Sequence, residues 1–252
     1  ITIEALIAAL ISAIAWNLLT WWLGLPSSSS HAIIGGLIGA VVTGAGLGVI
    51  KVEGIEKILI TLFTSPIIGL VFGFIVTRLI MLACWNASPR VNWIFKKGQI
   101  FTAVALALSH GTNDAQKSMG IITLGLVTSG ALTEFEVPIW VIFLCASMIA
   151  LGTSVGGWKL IKTLGTKFYR IRPLDGFAAQ FTSASVILGA SLIGRPVSTT
   201  QVVSTAIMGV GSAERINKVR WGVAGEILTA WVLTIPATAL LGAGMYWLIS
   251  LF

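Results

Sequence analysis

The sequence predicts an all-α polytopic membrane protein, and three observations predict it. Of the 252 residues 56% are hydrophobic and only 10% charged, with a mean hydropathy of +0.96; a soluble domain carries about 25% charged residues. The apolar residues come in runs long enough to cross a bilayer, which takes ~20 residues in a helix. The Lys and Arg residues gather in short loops between those runs, the distribution that sets orientation in membrane proteins. A net charge of +7 would suggest nucleic acid in a soluble chain. Here topology accounts for it, so the lipid bilayer is the expected partner and no nucleic acid is expected.

The first apolar run covers Ile3 to Leu23, and Gly24-Leu25-Pro26 ends it, because proline lacks an N–H and restricts its predecessor. Ser27 to Ser30 suit an N-cap and lead into a glycine-rich helix from His31 to about Val49. Its glycines allow close backbone approach, as membrane helix interfaces require. After a balanced loop with Lys51, Glu53, Glu56 and Lys57, Ile58 to Ala83 reads as a span with Pro66 inside it, and a basic loop carries Arg90, Lys96 and Lys97. Gln99 to Gly130 is too long for one simple span and reads as two helical pieces broken at His110-Gly111-Thr112-Asn113. An acidic loop holds Glu134 and Glu136, and Pro138 to about Trp158 spans again. A strongly basic loop has Lys159, Lys162, Lys167, Arg170 and Arg172. Phe177 to Ile193 is apolar, Gly194-Arg195-Pro196 breaks it, and Val197-Ser198-Thr199-Thr200-Gln201 opens a helix to about Val210. These two runs are short enough for a re-entrant hairpin. Arg215, Lys218 and Arg220 form a third basic loop before the last span, Ile227 to Phe252. Cys84 and Cys145 stand alone and read as packing residues, and two histidines are too few for a metal site.

One polar stretch is set between apolar runs: Ser109-His110-Gly111-Thr112-Asn113-Asp114-Ala115-Gln116-Lys117. Asp114 and Lys117 are the only charges between Lys97 and Glu134. An ionisable group at membrane depth costs on the order of several kcal/mol unless it is paired or bound, so such residues are candidates for function. A surface loop capped by Asn-Asp is the plainer reading.

The chain also repeats itself. Pro26 and Pro196 lie 170 residues apart, as do Pro66 and Pro236, Gly24 and Gly194, and Gly39 and Gly209. At the same offset Ser28, Ser29 and Ser30 meet Ser198, Thr199 and Thr200. Basic loops 84–98, 159–172 and 213–220 are placed inside by their charge, and the acidic loop near Glu134 outside. Loop 51–57 then falls outside while its counterpart adjoins the inside loop 213–220, so the two copies are inverted. The fold class expected is an inverted-repeat secondary transporter with broken helices or helical hairpins. A single transmembrane domain would cover 1–252, with the remainder of the first inverted repeat in 1–86, a cytoplasmic loop in 87–98 and the second inverted repeat in 99–252.

Two hydroxyl-rich breaks, each opening a helix, present free N–H groups at a positive dipole end, which suits an anion. Ser28, Ser29, Ser30, Ser198, Thr199 and Thr200 add donors for a tetrahedral oxyanion. Asp114 opposes an anion and suits a cation or proton that travels with it. Symport of an oxyanion with Na⁺ or H⁺ follows from these residues, with no further cofactor and no catalysis.

The stretch from Ser109 to Lys117 resembles the second Gly-x-Asn-Asp signature of the PiT inorganic phosphate transporters in its bacterial form. Pro26-Ser27-Ser28-Ser29-Ser30-His31 and Pro196-Val197-Ser198-Thr199-Thr200-Gln201 are similar to that family's paired Pro-x-Ser-[Ser/Thr]-[Ser/Thr]-His segments. The resemblance covers nearly the whole chain. It implies cation-coupled uptake of inorganic phosphate through helical hairpins, in a bacterial or archaeal cytoplasmic membrane. It further implies that Asn113 and Asp114 serve the cation and Asn113 also phosphate, with Asp114 the Na⁺ ligand if Na⁺ is the coupling ion. Ser28, Ser29, Ser198 and Thr199 would contact phosphate, with Ser30 and Thr200 beside them and His31, His110, Thr112, Gln116, Lys117 and Gln201 in support. A homo-oligomer is compatible with all of this.

Two departures stand out. Gln201 replaces the second histidine, and only one Gly-x-Asn-Asp segment is present. Asp114 lies 82 residues before Pro196. Its counterpart would lie as far before Pro26, upstream of Ile1, so the sequence predicts that an N-terminal part with half of the site is missing. A sulfate or other oxyanion permease is the nearest alternative function. An intramembrane hydrolase built on Ser28 to Ser30 with His31 or His110 is a more distant one, since no Gly-x-Ser-x-Gly elbow occurs.

Overall fold

The computed structural model describes residues 1–251, and only the backbone at positions 159, 160, 166 and 167. Phe252, taken above as the end of the last span, lies outside the described residues, as do the side chains of Lys159 and Lys167. Nine α-helices are described: α1 (Ile3–Leu23), α2 (Ser29–Ala45), α3 (Val52–Ala83), α4 (Val91–Thr128), α5 (Ile139–Gly156), α6 (Trp158–Lys162), α7 (Pro173–Leu192), α8 (Thr199–Glu214) and α9 (Trp221–Ile249). By length and composition α1, α3, α5 and α9 can each cross a membrane. Several boundaries expected from the sequence hold within about four residues, but α3 and α9 each begin six residues before the expected start, α3 inside the expected loop 51–57, and α4 departs most. It runs unbroken through His110-Gly111-Thr112-Asn113, and it begins at Val91, inside the segment read as a loop. No proline lies between Gln99 and Gly130, and a glycine in a helix interior costs only about 1 kcal/mol. The polar side chains also support the helix locally: Ser109 Oγ donates to the Ala105 carbonyl at 2.8 Å and Lys117 pairs with Asp114 at 2.9 Å.

The 170-residue offset reappears in three dimensions. α1 and α7 begin at that offset, as do α2 and α8. Each pair packs as a hairpin, α1 on α2 and α7 on α8. Both turns use the same devices. Gly24 and Gly194 sit at φ 70° and 67°, where a side chain would be strained. Ser28 Oγ then accepts from the His31 N–H at 3.2 Å, and Ser198 Oγ from the Gln201 N–H at 3.4 Å. These are N-caps in which the serine oxygen satisfies an otherwise orphaned donor.

The chain divides into two compact units, and each takes elements from both copies of the repeat. The first comprises residues 1–56, 114–160 and 226–252, so the α1–α2 hairpin packs with α9 of the second copy. Gly39 faces the Ala239 carbonyl and Gly35 the Ile235 carbonyl, with no room for a Cβ at either position. Trp16 Nε1 donates to Thr234 Oγ1 at 3.1 Å, and Trp21 Nε1 to the Gly156 carbonyl at the end of α5 at 2.8 Å. Alanines fill its tight spots, with Ala5, Ala8, Ala9 and Ala40 in one buried cluster.

The second unit comprises residues 57–113 and 161–225, so the α7–α8 hairpin packs with α3 of the first copy. Gly209 faces the Leu70 carbonyl, the counterpart of Gly39 on Ala239, and Gly73 faces the Ala206 carbonyl. Gln99 and Thr102 of α4 reach α7, donating to the Pro173 carbonyl at 2.8 Å and to Gln180 Oε1 at 2.7 Å. Pro66 offers α3 no N–H, and Ser65 Oγ donates to the Leu62 carbonyl that the missing bond would have used, at 3.4 Å.

The base of the α7–α8 hairpin is tied by charge. Asp175 is fully buried, and its carboxylate meets Arg172 at 3.3 Å and Lys218 at 3.1 Å. Both cations also pair with Glu214 at the end of α8. Tyr169 lies under Lys218, 4.5 Å from the ring, and donates to the Ile207 carbonyl at 3.3 Å. Burial, with the negative charge of Asp175, raises the phenol pKa of Tyr169 and keeps it a donor. The equivalent base of the first hairpin has Thr2, Ala5 and Gly44 in place of Arg172, Asp175 and Glu214, and the Tyr246 ring packs against Gly44 there.

Candidate functional site

The candidate residues fall into two groups, one in each unit. In the first unit they are the opening of α2 and the middle of α4. Ser28, Ser30 and His31 are buried, at 1%, 4% and 1% exposure, whereas Ser29 is exposed. The cap engages a lone pair of Ser28 Oγ and leaves its proton available, so a capping serine can still donate to an anion. From α4, Asp114 is bridged by Lys117 on the next turn, with both side chains partly buried. Lys117 lies within electrostatic range of His31. The structure therefore gathers Ser28, Ser30, His31, Asp114 and Lys117 into one region. Thr112 and Gln116 are exposed on α4 and His110 is half-buried.

In the second unit the group centres on the opening of α8. Asn113 is buried at 2% exposure, and its Nδ2 donates to the Val197 carbonyl at 3.1 Å. That carbonyl lies just before the cap residue Ser198, so the signature asparagine fixes the loop that opens α8. Ser198, Thr199 and Gln201 are buried, and Thr200 is half-buried. Gln201 Oε1 is buried without a hydrogen-bond partner among the described residues. Such an acceptor is costly unless water or an ion completes it. The expected break in α4 is thus replaced by a continuous helix that sends Asn113 to one unit and Asp114 to the other.

Sequence reasoning passed over Asp175 and its cations, whose partners lie as far as 43 residues away. The one local signal was a proline opening α7 with an acid two residues on, in the first turn where the helix dipole favours it. Arg195 was read only as part of a breaker. It is exposed and lines a cavity with Thr61, Thr64 and Ser65.

Comparison with known proteins identifies the family and the fold. The model of the Phosphate transporter family matches residues 1–89 and 81–242. A probable low-affinity inorganic phosphate transporter of Bacillus subtilis is 47% identical over 248 residues, which are 98% of this chain and 74% of that protein. One from Rhizobium meliloti is 43% identical over the same shares, and one from Mycobacterium leprae is 43% identical over all of this chain and 62% of its own length. A solved structure described as the sodium-dependent phosphate transporter shares the fold, with a TM-score of 0.91 at 24% identity, over 99% of this chain and 80% of that one. These relatives are transporters, which removes the hydrolase reading. The chain is an integral membrane protein and belongs to the phosphate transporter family.

Proposed function

We propose that this chain carries inorganic phosphate across the cytoplasmic membrane by symport with a cation. The observation that supports this best is the pair of capped openings, at α2 and at α8, each with two buried hydroxyls on a helix N-terminus, Ser28 and Ser30 in one and Ser198 and Thr199 in the other. Free N–H groups and the helix dipole favour an anion there, and Ser28, Ser29, Ser30, Ser198, Thr199 and Thr200 supply further donors. Asn113 holds the α8 opening in shape and stands beside the anion. Asp114 is the cation site. Lys117 acts as its resident counter-charge and gives way when the coupling ion arrives. Gln201 Oε1, a neutral oxygen without a hydrogen-bond partner among the described residues, is a further acceptor at the α8 opening. The structural neighbour is described as sodium-dependent, which favours Na⁺ over H⁺ as the coupling ion.

The two repeats are inverted in this reading, with 1–86 belonging to the first and 99–252 to the second. Phosphate is preferred to sulfate as substrate because the named relatives are phosphate transporters. The test is uptake of radiolabelled phosphate into proteoliposomes under an imposed Na⁺ gradient, an imposed pH gradient, or neither. Phosphate accumulation driven by one of the two gradients supports the reading. Uptake that ignores both gradients, or equal uptake of sulfate, overturns it.

A further inference from the structure

Within the second unit a cavity of about 610 Å³ adjoins the opening of α8. Thr61, Thr64 and Ser65 line it from α3, Ser185 from α7, and Arg195 and Val197 from the turn of the α7–α8 hairpin. Val197 is the residue whose carbonyl Asn113 holds. Arg195 makes no ion pair among the described residues.

The hydroxyls of the α3 wall are already committed as donors. Thr61 Oγ1 donates to the Lys57 carbonyl at 2.9 Å, Thr64 Oγ1 to the Ile60 carbonyl at 2.7 Å, and Ser65 Oγ to the Leu62 carbonyl. A hydroxyl has one proton and two lone pairs. With the proton spent, each can only accept from a ligand. At neutral pH both forms of inorganic phosphate keep a P–OH that donates, whereas sulfate keeps none. Three hydroxyl acceptors beside one cation, in a lining that is otherwise mostly apolar, therefore distinguish the two anions.

The repeat supplies an internal control. At the 170-residue offset Arg195 corresponds to Leu25 and Thr61 to Trp231. In the first unit Trp231 is buried and its Nε1 donates to the Pro26 carbonyl at 2.9 Å. The first hairpin thus has an indole pinned to its turn, where the second has a threonine, a cavity and an unpaired guanidinium. An arginine on apolar surroundings is costly unless it faces water or an anion.

We infer that this cavity is a phosphate vestibule: Arg195 draws the anion in, and acceptors among Thr61, Thr64 and Ser65 take the hydrogen bonds of its one or two P–OH groups and so pass phosphate in preference to sulfate. The inference rests on the phosphate-transport reading above. On the orientation given by the basic loops, α3 enters from the outer side, so the vestibule serves uptake.

The test is the KM for phosphate in proteoliposomes, with arsenate and sulfate as competitors. Arsenate keeps an As–OH and should compete, while sulfate should not. Arg195→Gln should raise the KM about tenfold or more, as expected for loss of a charged partner. Thr61→Val and Thr64→Val keep the shape and remove an acceptor, and each should raise it about threefold to tenfold. Thr64 is exposed on α3, so its variant guards against misfolding of the buried Thr61 variant. If the wild type takes up phosphate but all three variants keep its KM, the cavity is a lipid-facing groove and the vestibule is wrong. Sulfate competing as well as arsenate overturns it too. No uptake by the wild type in any gradient would overturn the transport reading as well.

Discussion

Asn113 Nδ2 donates to the Val197 carbonyl across 84 residues of sequence, at 3.1 Å and at a buried site. This one bond ties the middle of α4 to the loop that opens α8. Replacing Asn113 by Leu leaves the carbonyl buried without this donor, at a cost of about 1–3 kcal/mol. Asn113→Ala should be as damaging, because it too removes the donor. Both variants should melt at a lower temperature in detergent and lose phosphate uptake. Normal uptake by the Ala variant would show that the bond does not set the loop.

Asp114 and Lys117 make the second prediction. Asp114→Asn should abolish cation-driven uptake, but alone it also strands the Lys117 charge. The double variant Asp114→Asn/Lys117→Gln removes both charges, so it should recover the membrane yield of the wild type. It should not recover uptake, since the cation would still lack its carboxylate. Gradient-driven uptake by the double variant at the normal rate would reduce the pair to a structural bridge.

Much of this was legible because its causes are local. A missing N–H at Pro26 and Pro196, a positive φ at Gly24 and Gly194, and a hydroxyl at Ser28 and Ser198 each act within a few residues. The continuity of α4 was not legible. Gly111, Thr112 and Asn113 are weak helix formers, yet the penalty is about 1–2 kcal/mol in all, and bonds such as that to Val197 come from distant sequence. Nor did the pattern show that α3 and α9 change places between the hairpins. The equivalence of Gly39 and Gly209 was visible, but the carbonyls they face belong to helices far along the chain. The buried Asp175 was hidden for the same reason, because Lys218 and Glu214 reach it only in the folded state.

Ser28 and Thr199 carry the third prediction. Ser28→Ala removes both a cap and an anion donor, so the loss of function alone is ambiguous. Ser28→Asp keeps a capping acceptor and adds a negative charge. If the hydroxyl serves phosphate, the Asp variant should bind phosphate more weakly than the Ala variant, because its charge repels the anion. A hydrogen bond to a charged group is worth roughly 1.5–3 kcal/mol, so Ser28→Ala and Thr199→Ala should each weaken affinity by about one to two decades. Titration calorimetry with phosphate measures this. Unchanged affinity in both Ala variants would leave these residues as caps only.

Gly39 and Gly209 carry the last prediction, and the repeat makes it a paired one. Each lies on the second helix of its hairpin, and a Cβ on either would collide with a main-chain carbonyl, of Ala239 in one unit and Leu70 in the other. A side-chain neighbour could rotate away; a helix carbonyl cannot, so the helices themselves must separate. Overpacking of this kind costs typically about 1–3 kcal/mol, occasionally more. Gly39→Ala and Gly209→Ala should therefore both lower thermal stability in detergent, and by similar amounts, since the two sites do the same work in the two units. Gly125 supplies the contrast. It lies in α4 with open space where a Cβ would go, so Gly125→Ala should be neutral or gain up to about 1 kcal/mol from helix propensity. The hairpin variants should also lose uptake, because α2 and α8 carry the two hydroxyl openings at their starts. If Gly39→Ala and Gly209→Ala melt with the wild type while Gly125→Ala does not, the crossed packing of each hairpin on the other copy's long helix is wrong.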